Sequence, residues 1–182
     1  MATTLKPFGL KPVYHPSGLD RATPFVGTNS FIAGTTYTAP YSLTAGQSFF
    51  QFQPVGLTTS GQLTIAASAS ASGSVFGVFD GVEFTDSQGR RSVAKGASKA
   101  TLDASTDIIF WIFSDPDLVY EAQVNGSATT AAIGSQYNFE TATGLTPASG
   151  TSIGNGGAFF STCALNDTAV GTTVQGQVRV VG

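Results

Sequence analysis

The sequence predicts an all-β fold, either a single β-barrel or a β-sandwich-like domain, with an extended N-terminal arm. Apolar residues occur in short runs or alternate with polar ones, and Gly, Pro, Asn and Asp separate these runs. That pattern is typical of short strands joined by tight turns. No segment of about ten residues or more has the apolar spacing and caps of an amphipathic helix. A chain of 182 residues has the length of one domain with its own core.

The first 34 residues are predicted to form the arm, and residues 35–182 the β-rich body. Four prolines, the first at Pro7 and the last at Pro24, remove backbone donors and should discourage sheet pairing. The arm is nevertheless too apolar for a free tail, so we expect it to lie against its own body, a neighbouring copy or a partner. The candidate contact residues are Lys6, Phe8, Leu10, Lys11, Pro12, Val13 and Tyr14.

Four strands are predicted in the first half of the body, at residues 35–43, 47–55, 61–67 and 74–84. Simple alternation predicts that Phe50 and Phe52 share a face, and that Leu63 and Ile65 share another. In the fourth strand the same rule places four apolar side chains on one face, with glycines opposite them. These side chains are Phe76, Val78, Val82 and Phe84.

The second half of the body contains the most apolar run, residues 107–113, which predicts a central buried strand with Trp111 in the core. Asp115 followed by Pro116 is typical of a type I turn. A strand is predicted to follow at 118–124, so that the two strands form a hairpin. Further strands are predicted at residues 136–140, 157–165 and 172–181.

The charges are distributed unevenly along the chain. Residues 1–99 contain seven Lys or Arg against four Asp or Glu, whereas residues 100–182 contain only Arg179 against seven acids. The second half therefore lacks the basic stripe expected of a nucleic-acid-binding surface. A local basic cluster follows the turn at residues 85–90, and it is interpreted either as a surface for an acidic partner or as a solvated loop. Its members are Arg90, Arg91, Lys95 and Lys99.

The residue types that most enzyme chemistry needs are scarce. The chain contains one histidine, His15, and one cysteine, Cys163, which is interpreted as a small buried apolar side chain. Asp80 and Glu83 are predicted to point to opposite faces of one strand, so they should not converge as a catalytic or calcium-binding pair. We therefore expect no enzyme activity, no cofactor and no metal.

The N-terminal residues lack the apolar segment of a secretion signal, and no apolar run is long enough to cross a membrane as a helix. These features lead us to expect a protein that is made in the cytoplasm and has no membrane partner.

Several motifs, in this order, resemble those of the head decoration (cement) proteins of tailed bacteriophages. They are residues 8–13 (Phe-Gly-Leu-Lys-Pro-Val), 77–86, 114–124 and 132–134 (Ala-Ile-Gly). Family members often carry Arg where Lys11 stands, a change that keeps the positive charge. The resemblance implies a β-rich protein on the outer surface of the virion that binds across subunits of the major capsid protein. It also implies a homo-oligomer, with a trimer expected and a dimer as the alternative.

Two other functions remain open from the sequence. The chain could be a receptor- or glycan-binding β module of a phage tail fibre, although a buried Trp111 would count against that role. It could also be a hydrolase, which the lack of a second histidine and of convergent carboxylates disfavours.

Overall fold

In a computed structural model of the chain, strands dominate and the all-β prediction is confirmed. The structure describes residues 9–18, 22–26, 39–66 and 75–125, with side chains up to residue 120, and the backbone of four later strands within 136–180. The strands are β1 (Lys11–Tyr14), β2 (Thr23–Phe25), β3 (Tyr41–Ser42), β4 (Ser48–Phe50), β5 (Pro54–Leu57), β6 (Leu63–Ile65), β7 (Gly77–Thr85), β8 (Arg91–Ala94), β9 (Gly96–Ser98), β10 (Thr106–Phe113), β11 (Val119–Asn125), β12 (Gln136–Phe139), β13 (Thr151–Ser152), β14 (Phe159–Ser161) and β15 (Thr173–Val180).

These strands form two large sheets and one small one. The first sheet has the order β1-β11-β13-β12-β14-β15, and β11 also pairs with β15. The second has the order β2-β10-β7-β5-β6-β3, and β8 joins it by pairing with β7. Strands β4 and β9 form the small sheet. The described strands do not close into a single barrel, and their sheets fit the sandwich-like alternative.

A short helix, α1 (Lys99–Asp103), follows β9 and was not predicted from the sequence. Ser98 is its N-cap, because its side-chain oxygen accepts a hydrogen bond from the backbone N–H of Thr101. Leu102 is the residue of this helix that is buried in the core.

The larger core cluster is built around three phenylalanines from different strands. The rings of Phe49 and Phe79 stack with centroids 5.4 Å apart, and Phe110 meets Phe49 edge-on, also at 5.4 Å. All three side chains are fully buried. Offset-stacked and edge-to-face rings are favourable arrangements of aromatic pairs, so this cluster fastens β4 to β7 and β10.

A β-bulge interrupts β7. Trp111 of β10 pairs with Gly81, but the next residue, Ile112, pairs with Phe79, so Asp80 is the extra residue. The prediction that Val78 shares a face with Val82 is therefore wrong. Val82 and Phe79 lie in the larger cluster, whereas Val78 lies in a second core cluster.

The predicted strand at residues 47–55 is in fact two strands. β4 ends at Phe50, the chain turns through Phe52, which has a positive φ of 65°, and β5 begins at Pro54. Hydrogen bonds from Phe52 N–H to the oxygen of Phe79 (2.7 Å), and from Phe79 N–H to that of Gln53 (2.9 Å), hold this turn against β7. Because the backbone reverses here, Phe50 and Phe52 do not alternate on one strand face.

The predicted hairpin between residues 107–113 and 118–124 is also wrong, although both strands and the turn exist. Asp115 accepts backbone hydrogen bonds from Asp117 (2.8 Å, side chain) and Leu118 (3.3 Å, main chain), as a turn requires. However, β10 pairs with β2 and β7, and β11 pairs with β1, β13 and β15. The turn therefore carries the chain from one large sheet to the other.

Trp111 is half-buried, which corrects the prediction that it lies in the core. Its neighbours Phe110 and Ile112 are fully buried on the core face of β10, so alternation places Trp111 on the opposite face. The strand itself is interior to its sheet, between β2 and β7, as predicted.

Parts of the predicted arm belong to the two large sheets. β1 pairs with β11, and β2 pairs with β10. The prolines did not prevent this pairing, because both strands lie at sheet edges. An edge strand pairs with a neighbour on one side only, so it tolerates the loss of a backbone N–H on the other side. Within residues 9–18 and 22–26, the arm thus lies against its own body.

The remaining predictions have mixed outcomes. Leu63 and Ile65 both contact the larger cluster, as predicted. The described residues within the strands predicted at 136–140, 157–165 and 172–181 form β12, β14 and β15, and the other residues of those ranges lie outside the described part of the chain. Residues 35–38 of the first predicted strand lie outside the described residues, and so does Cys163.

Candidate functional site: the edge strand β1 and the turn that follows it

The predicted contact residues fall into three groups. Leu10 is 2% exposed and is part of the second core cluster, so it anchors the strand and is not available to a partner. Val13 and Tyr14 expose 40% and 59% of their surface on β1. Lys11 is exposed and Pro12 is half-buried. Lys6 and Phe8 lie outside the described residues.

β1 forms one edge of the six-stranded sheet, with β11 as its partner there. An edge strand offers backbone groups to a further strand, and Pro12 limits this edge by removing one donor. The exposed Tyr14 presents an aromatic ring with a polar end, a residue type enriched in protein interfaces. β1 is therefore fixed at Leu10 and accessible at its C-terminal end.

The basic cluster that follows the turn at residues 85–90 is neutralised within the chain. Arg91 Nε lies 2.7 Å from Glu83 Oε1, and Lys95 Nζ lies 3.0 Å from Asp80 Oδ1. Arg90 and Lys99 make ion pairs with the acids Asp86 and Asp103. Each cation already has a carboxylate partner, so the cluster does not offer a free positive surface to an acidic partner.

The burial pattern of β7 corrects the prediction that Asp80 and Glu83 point to opposite faces. Phe79 and Val82, the residues that precede them, are both buried in the larger core cluster, so Asp80 and Glu83 both project away from that cluster. The bulge at Asp80 explains this, because one extra residue shifts the alternation. Although both carboxylates lie on one side, each is held by its own cation, so they do not form an acid–base pair.

The turn after β1 contains a contact that the sequence analysis missed. His15 Nε2 lies 3.0 Å from Asp115 Oδ2, across the turn that joins β10 to β11. On the other side of the ring, His15 Nδ1 lies 2.6 Å from Ser17 Oγ and accepts the backbone N–H of Ser17 at 3.1 Å. The two turns are 100 positions apart in sequence, and nothing in the local residue pattern indicates that they meet.

Asp115 is ionised in this arrangement. The backbone N–H of Asp117 is the main cause that lowers the pKa of Asp115 below its ordinary value, and the contact with His15 lowers it further. The neighbouring Tyr120 is buried, and this burial raises the pKa of its phenol, so Tyr120 stays protonated. Beside both residues lies a cavity of about 70 Å³, which is also lined by Val75, Phe76, Gly77, Phe113, Ser114 and Pro116.

The described residues contain neither a metal-binding cluster nor a membrane-spanning helix. Within them, no group of three or more His, Cys, Asp or Glu side chains is placed to hold a metal ion. In the same part of the chain, no helix has the length and apolar character needed to cross a bilayer.

Comparisons of the chain with known protein families, with curated proteins and with solved structures found no match.

Proposed function

We propose that this chain is a capsid decoration protein of a tailed bacteriophage, which binds across subunits of the major capsid protein and stabilises the head. The proposal is supported by the motifs of residues 8–13, 77–86 and 114–124, which resemble those of that family. The all-β fold is compatible with the family. The proposed contact surface is supported by the exposure of Val13 and Tyr14 on the edge strand β1.

In the proposed mechanism, β1 contacts a capsid subunit or a neighbouring copy of the chain, either through Val13 and Tyr14 or by strand addition at the edge that no other described strand covers. A single such contact is small. Repetition of the contact over a symmetric lattice, by a homo-oligomer such as a trimer or a dimer, would add avidity without any catalytic group. The protein would be made in the host cytoplasm and would act on the outer surface of the virion.

The test is assembly with expanded heads of the same phage. Full-length protein should sediment with the heads in a copy number that scales with the number of capsid subunits. A Val13→Ser/Tyr14→Ser variant should sediment with them far less, because it removes the exposed apolar contacts of β1. A matched control is Val93→Ser on the other large sheet, where Val93 is 73% exposed and its replacement should leave binding unchanged.

The proposal fails if the protein does not bind heads, or if purified virions carry only the few copies typical of a tail component. If binding survives in the Val13→Ser/Tyr14→Ser variant and the protein still coats heads, the side chains of Val13 and Tyr14 are not the contact, and only strand addition by the β1 backbone remains.

A glycan-binding role in a tail fibre is the second candidate, and the half-buried Trp111 is the observation that favours it. Trp111 lies between Pro24 and Gly81 in the cross-strand register, so neither neighbour in the sheet places a large side chain beside the indole. Binding on a glycan array that is lost in Trp111→Ala but kept in Val13→Ser/Tyr14→Ser would favour this role over capsid decoration.

A further inference from the structure

The hydrogen bonds around His15 fix its tautomer. A backbone N–H can only donate, so the ring nitrogen that accepts from Ser17 N–H, namely Nδ1, carries no proton in the neutral ring. The ring proton is therefore on Nε2, from which it is donated to the carboxylate of Asp115, 3.0 Å away. The hydroxyl of Ser17, 2.6 Å from Nδ1, also donates to that nitrogen, and the two donors of Ser17 share its single lone pair, with the hydroxyl at the shorter distance.

This arrangement has the three parts of an activated nucleophile: a hydroxyl, a base within hydrogen-bond reach, and a third group that orients the base. Ser17 is exposed, so the hydroxyl can reach a solute. The side chain of His15 is only 11% exposed, which keeps the ring in place between Ser17 and Asp115. The carboxylate of Asp115 stabilises the imidazolium that forms when the base takes a proton.

From this geometry we propose that Ser17 is a reactive nucleophile that accepts an acyl group from activated esters, with His15 as its general base and Asp115 as a positioning residue. In the first step Ser17 Oγ forms a bond to the ester carbonyl carbon, and its proton moves to His15 Nδ1. In the second step the bond between that carbon and the leaving oxygen breaks, and the leaving group departs with the proton from Nδ1. The products are an ester on Ser17 and the free alcohol or phenol.

The backbone around Ser17 limits which acyl donors can react. An efficient acyl-transfer enzyme directs free N–H groups at the developing oxyanion. Here Ser17 N–H is bonded to His15 Nδ1, and Gly18 N–H is bonded to the carbonyl oxygen of His15 at 2.9 Å. With these two donors occupied, we expect reaction with esters that have good leaving groups but not with amides, and the acyl group should stay on Ser17 for longer than one turnover of a typical esterase.

The experiment uses the full chain and p-nitrophenyl acetate. Nitrophenolate release should coincide with the gain of one acetyl group by intact mass, and peptide mapping should place that group on Ser17. Ser17→Ala should abolish this adduct, and His15→Asn should slow its formation by about 100-fold. Ser87→Ala is the matched control, since Ser87 is also exposed in a turn and its replacement should change nothing.

The role of Asp115 has its own test. Asn forms the same turn as Asp, and forms it better than Glu, but only Glu keeps the negative charge. If the charge matters, the rate of Ser17 acylation should fall in Asp115→Asn and should be partly restored in Asp115→Glu. If Asp115 only shapes the turn, Asp115→Asn should instead react faster than Asp115→Glu. The inference is overturned if Ser17 reacts no faster than Ser87, if the acetyl group is found on His15 and never on Ser17, or if His15→Asn leaves the rate unchanged.

Discussion

The α-carbon of Gly9 lies directly against the carbonyl group of Phe52, so closely that a Cβ atom on Gly9 would overlap the carbonyl oxygen. The same oxygen accepts the backbone N–H of Leu10 at 2.7 Å. Both residues have positive φ values, 78° for Gly9 and 65° for Phe52. This contact joins the segment before β1 to the turn between β4 and β5, and it requires glycine on one side.

Gly9→Ala is therefore expected to destabilise the protein by about 3 kcal/mol or more, since it adds a steric clash with backbone to the strain of a positive φ. Chemical denaturation followed by circular dichroism measures the loss. Gly18→Ala is the control, because Gly18 has a similar φ of 70° but no atom within 4 Å of the added Cβ. It should cost only about 1–2 kcal/mol. Equal losses in the two variants would contradict the close approach of Gly9 to Phe52.

Adjacent residues of β10 should respond very differently to truncation. Phe110 is fully buried among aromatic rings, so Phe110→Ala should cost about 3–5 kcal/mol. Trp111 is half-buried on the other face, so Trp111→Ala should cost only about 1–3 kcal/mol despite the larger side chain. Quenching of Trp111 fluorescence by iodide should be measurable in the folded protein. A larger loss for Trp111→Ala than for Phe110→Ala would mean that the core faces are assigned wrongly.

Features that depend on local residue pattern could be predicted from the sequence. The apolar run at residues 107–113 predicted β10, since an extended segment apolar on both faces suits a strand inside a sheet. The turn at Asp115 was also predictable, because Asp followed by Pro favours a turn in which the Asp side chain accepts the backbone N–H two residues later.

Features that depend on a single inserted residue or on distant contacts could not be predicted. Alternation assumes an unbroken period of two, and the bulge at Asp80 breaks that period without any change in residue type. The turn at Asp115 is compatible with either a hairpin or a passage between sheets, and the choice depends on which strands flank β10 and β11. The contact between His15 and Asp115 depends on this same passage, so it was missed for the same reason.

Stability should fall in acid through at least two carboxylates. The backbone N–H of Arg90 is the main cause that holds the pKa of Asp86 below 3.8, and the Lys99 ammonium is the main cause for Asp103. Because the pKa of each carboxyl is lower in the folded state, its ionised form stabilises the fold. This stabilisation is fully present at pH values above the unfolded-state pKa of 3.8, and it is lost as the pH falls through the folded-state pKa. Melting temperatures should therefore be steady near neutral pH and decline below about pH 4.

The two carboxylates should differ in their response to salt. A hydrogen bond from a backbone N–H depends little on ionic strength, whereas the exposed pair of Lys99 and Asp103 is screened in ~1 M salt. The part of the acid-induced loss of stability that is due to Asp86 is the part that is absent in Asp86→Asn, and it should be the same in high salt. The part that is due to Asp103 should become smaller in high salt. Equal screening of both would indicate that Arg90 acts on Asp86 through its guanidinium charge.

Different residues anchor β1 and expose it to solvent, so the two roles can be separated by mutation. Leu10 is buried with Val78, Phe113 and Tyr120, and Leu10→Ala should destabilise the protein by about 2–5 kcal/mol, because it leaves a cavity where the two large sheets meet. Tyr14→Ala should cost less than about 1 kcal/mol, since more than half of that side chain is already in solvent.

Urea denaturation of both variants checks this difference, and the matched exposed control is Val93→Ala. If Leu10→Ala proved as mild as Tyr14→Ala, β1 would be a detachable arm. The separate arm of residues 1–34 that the sequence predicts would then describe the protein in solution better than its pairing with β11 does. A large loss for Leu10→Ala alone would mean that variants at Val13 and Tyr14 can be used to probe partner binding without unfolding the chain.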